Sequence, residues 1–230
     1  LNAHVAANAV RTLRSFRAVP GLQLVQVPDG QVGAATAAYR RNPNVLYAEP
    51  DYLVQADAIP NDPNFPLLWG LRNTGQEING DSGTAGADIR ATNAWDLWVG
   101  DPNFRIAVID TGVDYLHPDL AANVWTNPGE IPDNNVDDDG NGYIDDVHGY
   151  DFINSDGDPR DDAGHGTHVA GTIGGVGNNG VGVAGVNWRC KIVALKFLGS
   201  NGLGGTSGAI GALQYVIDNN IRLSNNSWGG

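Results

Sequence analysis

The stretch "FRIAVID", residues 104–110, predicts a buried β-strand that ends at a carboxylate. Its centre, Ile106–Ile109, is a short run of apolar residues, which is typical of a β-strand that is covered on both faces. Asp110 follows this run directly and precedes the turn-forming pair Thr111-Gly112. Because the working groups of an open parallel sheet collect beyond the carboxyl ends of its strands, Asp110 is the first candidate for chemistry.

Two other roles are possible for Asp110 on sequence grounds. A lone aspartate at this position more often caps the turn that follows it. A hydrophobic residue followed by Asp-Thr-Gly is also the signature of aspartic proteases, which need a second aspartate and an all-β fold. The chain has no second Asp-Thr-Gly, and helices are predicted elsewhere in it, so this class is discounted.

Further along the chain, strand-like and helix-like patterns alternate. "KIVALKFL" (191–198) is a second buried-strand pattern, and "IRLSNNS" (221–227) is a third extended segment. Between them, "SGAIGALQYVIDNN" (207–220) spaces Ile210, Leu213, Val216 and Ile217 at helical intervals. This alternation predicts a parallel sheet in an α/β domain.

The N-terminal region has a different pattern. "LQLVQV" (22–27) predicts a strand, residues 31–43 a helix stopped by Pro43, and residues 45–54 extended chain interrupted by Pro50. A small α+β domain over 1–57 fits these elements. The proline-rich stretch 55–66 is expected to be a linker, and 58–230 forms the second domain.

Composition excludes several classes of function. The 230 residues carry a formal charge of −13, which argues against nucleic-acid binding because no basic patch can neutralise phosphates. No apolar stretch approaches the ~18–20 residues that cross a bilayer. The single cysteine, Cys190, cannot form an internal disulfide and is expected to be a buried small apolar residue.

The segment "GHGTHVAGT" (164–172) predicts a rigid helix start that carries His165. Its glycines allow a sharp turn, and the small residues Ala170, Gly171, Gly174 and Gly175 allow close packing on a sheet. A histidine fixed in one orientation suits a general base. His168 is expected to face the interior. Zinc binding by the two histidines is disfavoured because zincins use His-x-x-x-His with a glutamate.

Much of the acidic charge lies between Asp133 and Asp162, which favours a bound cation. Asp137-x-Asp139-x-Asn141-Gly142 matches the start of an EF-hand loop, in which oxygens at alternate positions surround calcium. His148 occupies the twelfth position, where an EF-hand has glutamate. Asp145 or Asp146 would therefore have to complete the ligand shell, and the alternative is a solvated acidic loop. The predicted calcium ligands are Asp137, Asp139, Asn141, Tyr143, Asp145 and Asp146.

Taken together, these segments resemble a known family. "AVIDTGVDYLHPDL" followed by "GHGTHVAGT" resembles the two signature segments of the subtilisin-like serine proteases, in the family's order. "LSNNSWGG" resembles the family's substrate-binding strand, and "VLYAEPDYLV" with the unit before it resembles its propeptide. The resemblance implies a three-layer, parallel-sheet α/β catalytic domain, incomplete here, preceded by a small α+β propeptide domain.

The resemblance also implies a mechanism. Asp110 would orient and charge-stabilise the imidazole of His165, which would act as general base and then as general acid. The nucleophilic serine is expected beyond the C-terminal end of this chain, so the chain alone is expected to be inactive. Ser207 lies in Gly-Thr-Ser but is rejected, because it is 42 residues after His165 and precedes the substrate strand. The alternative is a calcium-stabilised binding module with a degenerate catalytic half.

Members of this family bind substrate as an extended strand between two segments of the protein. The predicted substrate walls are Gly202, Leu203 and Gly204 on one side and Ser227, Trp228 and Gly229 on the other, although Trp228 could be core. The resemblance also implies a second calcium site. Its ligands would be Asp62, Asp119, Asn179 (or its neighbour Asn178) and the backbone oxygens of Val181 and Val183.

The remaining expectations concern partners and location. The implied protein is a secreted endopeptidase with protein or peptide substrates, monomeric when full length, with no nucleic-acid or membrane partner. Residues 1–57 would act as an intramolecular chaperone and temporary inhibitor. The cleavage that releases them is expected near "YLVQAD" (52–57).

Overall fold

The computed structural model of the chain describes residues 4, 7–9, 11–52 and 58–229. Two compact units are present, Leu1–Ala56 and Asp57–Gly230. Of the predicted cleavage segment, residues 53–57 lie outside the described part of the chain. No helix among the described residues is long and apolar enough to cross a membrane.

Among its described residues, the smaller unit contains a β-hairpin and a helix that packs on it. Strand β1 (Arg11–Ser15) pairs antiparallel with β2 (Gln23–Gln26), and α1 spans Val32–Arg40. Ala35 and Tyr39 of α1 are buried in its core. An α+β unit was predicted, but the sequence did not reveal β1, all of whose residues are exposed.

Helix α1 ends before Pro43, earlier than predicted. The side-chain oxygen of Asn42 accepts a hydrogen bond from the N–H of Asn44 at 3.0 Å. Because this bond offers the backbone a turn in place of another helical residue, Asn42 accounts for the early end. Residues 45–52, expected to be extended, form no strand.

The predicted linker is wrong over its described part, residues 58–66. Phe65 begins a short 3₁₀ helix, Phe65–Leu67, and is buried against Trp95 in an apolar cluster of the larger unit. The prolines suggested a linker, but this segment packs on the larger unit because the Phe65 side chain is buried there. A short hairpin, β3 (Glu77–Ile78) with β4 (Asp81–Ser82), and helix α2 (Ala91–Trp95) follow.

A four-stranded parallel sheet forms the centre of the larger unit, as predicted. Its strands are β5 (Gly100–Asp110), β6 (Gly149–Asp151), β7 (Arg189–Lys196) and β8 (Ser224–Asn225), in the order β6-β7-β5-β8. Strands β5 and β7 pair along their length and bring Asp110 level with Lys196. The third extended segment is mostly irregular, since only its two residues in β8 pair with the sheet.

Two helices cover the two faces of this sheet, which gives three layers. Helix α3 spans His165–Gly174, and α4 spans Thr206–Asp218. Alternate residues of the strands point to opposite faces. Ala107, Ile109, Val193 and Leu195 share a core with α4, whereas Ile106, Val108, Ile192 and Ala194 share one with α3.

The buried face of α4 differs from the one its apolar spacing suggested. Ile210, Leu213 and Ile217 are exposed, and the core side consists of Ala209, Ala212, Tyr215 and Val216. The small alanines leave room for the large ring of Tyr215. Cys190 is buried beneath α3, as predicted, and burial raises the pKa of its thiol to about 11.

Helix α3 approaches the sheet through its small residues. A Cβ atom at Gly166 would lie 2.1 Å from the carbonyl oxygen of Gly112, and one at Gly174 would lie 2.5 Å from the sulfur of Cys190. Only glycine fits at both positions. The expectation that His168 faces the interior is wrong, since this side chain is exposed on the helix.

Candidate active site

Asp110 ends strand β5 with a fully buried side chain. Its Oδ1 atom accepts a hydrogen bond from the N–H of Thr111 at 2.7 Å and one from Nδ1 of His165 at 2.6 Å. Its Oδ2 atom is buried and has no hydrogen-bond partner among the described residues. The carboxylate is therefore held in one orientation and directed at the imidazole.

His165 is the first residue of α3 and follows Gly164, whose φ of +93° is in the left-handed region that favours glycine. The side chain is 55% exposed although it contacts the buried carboxylate. Because a carboxylate can only accept, Nδ1 of His165 must carry the proton. In the neutral ring Nε2 is then the basic nitrogen. The two predicted residues thus meet, with the basic nitrogen available for proton transfer.

Two charged residues next to this pair were not singled out from the sequence. The carboxylate of Asp161 accepts hydrogen bonds from the Thr111 hydroxyl and from Thr167. Burial alone would raise the pKa of Asp161, but hydrogen bonds from the Thr167 hydroxyl and from backbone N–H groups outweigh burial and hold this pKa below its ordinary value. A carboxylate just before a helix start is the sequence signal that could have identified it.

Lys196 is the second such residue. It ends β7 beside Asp110 and is only 2% exposed, yet its ammonium group is fully hydrogen-bonded. The three acceptors are the carbonyl oxygens of Thr111 (2.7 Å) and Leu198 (3.1 Å) and Oδ1 of Asp162 (2.6 Å). A charge inside the apolar run 191–198 is the signal that could have identified it.

The predicted substrate walls follow strands β7 and β8, at the sheet edge where Asp110 lies. Gly202 has a φ of +74°, and a Cβ atom at Gly204 would lie 2.0 Å from the carbonyl oxygen of Phe197. Leu203 between them is 70% exposed. On the other side, the ring of Trp228 packs edge-on against that of Phe197, with 4.8 Å between the ring centroids. The Ser227 hydroxyl donates a hydrogen bond to the side chain of Asn225. A Cβ atom at Gly229 would have no neighbour within 4 Å.

The acidic loop brings some of its predicted ligands together. Carboxylate oxygens of Asp137, Asp139 and Glu130 lie within 4.8 Å of one another. Glu130 was not predicted, because it precedes the motif and is brought to it only by folding of the loop. Asn141 lies beside the group, since its side chain donates to Asp139 at 3.2 Å.

The three remaining predicted ligands of the loop have other contacts. The Asp145 carboxylate accepts from the N–H groups of Asn134 and Asn135. Asp146 is fully buried, accepts from the hydroxyl of Tyr215 and from Asn141, and has a pKa that burial raises. The ring of Tyr143 packs edge-on against Tyr150 and Tyr215, and its N–H donates to Asn141.

The residues of the second predicted metal site converge on the loop 178–183. Asp62 and Asp119 are both buried. Asp62 accepts from the N–H groups of Asn178 and Asn179, at 2.6 and 3.2 Å. Asp119 accepts from the Asn179 side chain at 2.8 Å and from the N–H of Val183 at 2.7 Å. Val181, whose N–H donates to Asn179, lies in the same loop.

The larger unit is thus an α/β domain in which a buried carboxylate binds an exposed imidazole at the carboxyl edge of a parallel sheet, an arrangement that the Asp–His pairs of hydrolases also have. Comparison with known proteins identifies the family. Residues 101–230 match the model of the subtilase family, and residues 2–51 match that of the fervidolysin N-terminal prodomain. The chain belongs to the subtilase family of serine proteases.

Individual relatives agree with this assignment. A thermophilic serine proteinase of Bacillus sp. (strain AK1) is 36% identical over 87% of this chain and 41% of its own length. The halolysin-like extracellular serine protease Nep of Natrialba magadii is 31% identical over 91% of the chain and 34% of its own length. The crystal structure of an Aeromonas sobria serine protease in complex with a chaperone superposes with a TM-score of 0.54 at 25% identity, covering 74% of this chain and 26% of that one. The chain thus spans less than half the length of these proteins.

Proposed function

We propose that the chain is the propeptide and the N-terminal part of the catalytic domain of a secreted serine endopeptidase. The observation that carries this proposal is the 2.6 Å hydrogen bond between Nδ1 of His165 and Oδ1 of Asp110. It leaves Nε2 as a base beside an exposed surface. A base with this orientation removes the proton from a serine hydroxyl as that oxygen attacks a peptide carbonyl.

In the proposed mechanism, Asp110 keeps the imidazole in the tautomer with Nδ1 protonated. When His165 takes the serine proton, the imidazolium that forms lies against the buried negative charge and is stabilised by it. His165 then donates the proton to the leaving amine. The serine lies C-terminal to Gly230 in this proposal, which fits relatives that are more than twice as long as this chain.

Substrate would bind as an added strand between Gly202–Gly204 and Ser227–Gly229. The glycines in both segments support this role, because backbone amides and carbonyls without side chains can pair with an extended peptide. Exposed Leu203 and Trp228 would then contact substrate side chains. Protein and peptide chains are the proposed substrates, and residues 1–57 are the proposed temporary inhibitor, in keeping with the prodomain match.

Covalent labelling of the full-length protein with a fluorophosphonate tests this function. We expect labelling in the wild type and its loss in His165→Ala. Asp110→Asn should reduce kcat by roughly 10⁴-fold, because the tautomer is no longer fixed. His168→Ala, which alters an exposed histidine of the same helix, is the matched control and should label normally. An unlabelled wild type, or full labelling of His165→Ala, would contradict the proposal.

Calcium is the proposed cofactor, and its role is to stabilise the fold. The carboxylates of Glu130, Asp137 and Asp139 fit a hard cation, because like charges this close repel unless a cation joins them. Buried Asp62 and Asp119 beside the loop 178–183 offer a second set of oxygens. At a free calcium concentration of 100 Kd, one site would stabilise the fold by about 2.7 kcal/mol.

Calorimetric titration of the full-length protein with calcium tests both sites. Asp137→Asn should remove one binding event and Asp119→Asn the other, and a chelator should lower Tm. Asp133→Asn is the control, because its exposed side chain makes no hydrogen bond in the described structure. No heat of binding in millimolar calcium, together with a Tm that a chelator leaves unchanged, would rule out calcium.

Secretion is proposed on the evidence of the extracellular relative. Detection of the mature protein in culture medium, with none retained in cells, is the corresponding test.

A further inference from the structure

Asp110 and His165 lie on different elements, so their hydrogen bond depends on how the turn after β5 is held against the start of α3. A shift of about 1 Å between these segments would open a contact of 2.6 Å. Strand and helix share no ladder hydrogen bonds. A hydrogen bond joins the two segments directly, from the N–H of Gly166 to the Thr111 hydroxyl at 2.8 Å, and side chains that bind both segments reinforce it.

Asp161 connects them directly. Its Oδ1 atom accepts from the hydroxyl of Thr111, the residue after Asp110, at 2.9 Å. The same oxygen accepts from the N–H groups of the two residues before His165, at 3.0 and 2.9 Å. Its Oδ2 atom accepts from the N–H and the hydroxyl of Thr167 in the first turn of α3, at 2.9 and 2.6 Å. One carboxylate thus holds the turn, the loop and the helix.

Lys196 makes a second connection from the other side of Thr111. Its three donors bind the Thr111 carbonyl, the Leu198 carbonyl and the Asp162 carboxylate. Because an ammonium has three donors and no acceptor, this set leaves no proton unsatisfied. Thr111 is therefore tied by its hydroxyl to Asp161 and by its carbonyl to Lys196, and each tie leads to the loop before α3.

We infer that Asp161 and Lys196 are positioning residues, which hold the Thr111 turn against the start of α3 and so fix the Asp110–His165 pair. The inference rests on the proposed function for its effect on rate. Neither side chain hydrogen-bonds to Asp110 or His165 in the described structure, so each acts through Thr111 and the loop.

Asp161→Asn breaks the connection without changing the size of the side chain. Both oxygens of Asp161 face donors, so the amide nitrogen of asparagine meets a donor in either orientation. Lys196→Met removes the ammonium and leaves two carbonyl oxygens without that donor. A misplacement of about 1 Å costs up to 10²-fold in rate, so we expect each variant to lose roughly 10- to 100-fold in kcat. For Asp161→Asn, KM should stay within about twofold, because its bonds do not involve the substrate walls.

The test combines kinetics with proton NMR of the full-length protein. The Nδ1 proton of His165, held in a short bond to a carboxylate, should give a low-field resonance in the wild type. We expect Asp161→Asn and Lys196→Met to lose or broaden this resonance and to lose kcat in parallel. Asp158→Asn, a carboxylate of the same loop that binds Tyr115 instead, should change neither.

A folded Asp161→Asn variant with wild-type kcat, or with lost kcat and an unchanged resonance, would overturn the inference. If the wild type has no peptidase activity, the proposed function fails. The effect of Asp161→Asn on the resonance still tests whether Asp161 holds the Asp110–His165 pair in place. A wild type without the resonance refutes the inference as well. Should Asp161→Asn fail to fold, Thr167→Val should lose the resonance and Thr167→Ser, which keeps the hydroxyl, should retain it. If Thr167→Val kept the resonance and Thr167→Ser lost it, the inference that Asp161 positions the pair would be refuted.

Discussion

Replacement of Gly166 by alanine is the most direct perturbation of the Asp–His pair that leaves both residues in place. The added Cβ would lie 2.1 Å from the carbonyl oxygen of Gly112 and 3.2 Å from Oδ1 of Asp110. Real Cβ atoms essentially never approach closer than 3.0 Å, so α3 must retreat by about 1 Å. The atom in the way belongs to the backbone and cannot rotate aside.

This retreat acts at the N-terminal end of the helix, where His165 is the neighbouring residue. The 2.6 Å bond to Asp110 lengthens by a similar amount and ceases to fix the imidazole. We expect kcat/KM of the full-length protein to fall about 10²-fold. Overpacking of this kind costs about 1–3 kcal/mol in the free energy of unfolding, so the variant should still fold.

Peptide hydrolysis and urea unfolding of the same preparations measure the two effects. Gly171→Ala is the matched control, since it lies in the same helix and its Cβ would meet nothing within 4 Å. It should keep full activity and gain up to about 1 kcal/mol from helix propensity. Wild-type activity in Gly166→Ala would show that close packing of α3 against Gly112 does not hold the pair in place.

Three further predictions concern stability and reactivity. Cys190, whose thiol pKa is raised to about 11, should resist alkylation at pH 8 until urea unfolds the larger unit; rapid labelling of the native protein would contradict its burial. Ile109→Ala should lower the free energy of unfolding by about 2–5 kcal/mol, whereas the exposed Ile217→Ala should change it by less than about 0.5 kcal/mol, as urea titration can determine. Because the pKa of Asp161 is lowered on folding, its contribution to stability is present above the unfolded pKa of about 3.9 and is lost as pH falls through the folded value. Acid titration of Asp161→Asn should therefore show a shallower loss of stability below about pH 4 than the wild type, and equal slopes would contradict the sign of this shift.

Several elements could be predicted from local pattern alone. The run Ile106–Ile109 identified β5 because a strand covered on both faces has no polar position in its centre. The glycines around His165 marked a close approach of helix and sheet, and alternation of strands with helices indicated the parallel sheet. Each of these signals comes from residues that are neighbours in the sequence, and neighbouring residues constrain the local backbone conformation directly.

Other elements depended on contacts that no local pattern contains. The prolines of residues 58–66 predicted a linker, but Phe65 is buried against Trp95. The core face of α4 consists of Ala209, Ala212, Tyr215 and Val216, whereas Ile210 and Ile217 are exposed, so hydrophobicity alone does not select the buried side. Glu130 joins Asp137 and Asp139 only because the loop folds back on itself.

Local sequence was enough to single out Asp110 and His165 as the candidate pair, because both stand in motifs whose glycines and flanking strand leave few conformations. How these two side chains, 55 positions apart in the chain, are held together depends on the folded molecule. The hydrogen bonds of Asp161 and Lys196 illustrate why the sequence does not reveal this arrangement. A hydrogen bond between distant residues depends on distances that packing sets, and residue types in a linear chain do not encode those distances locally.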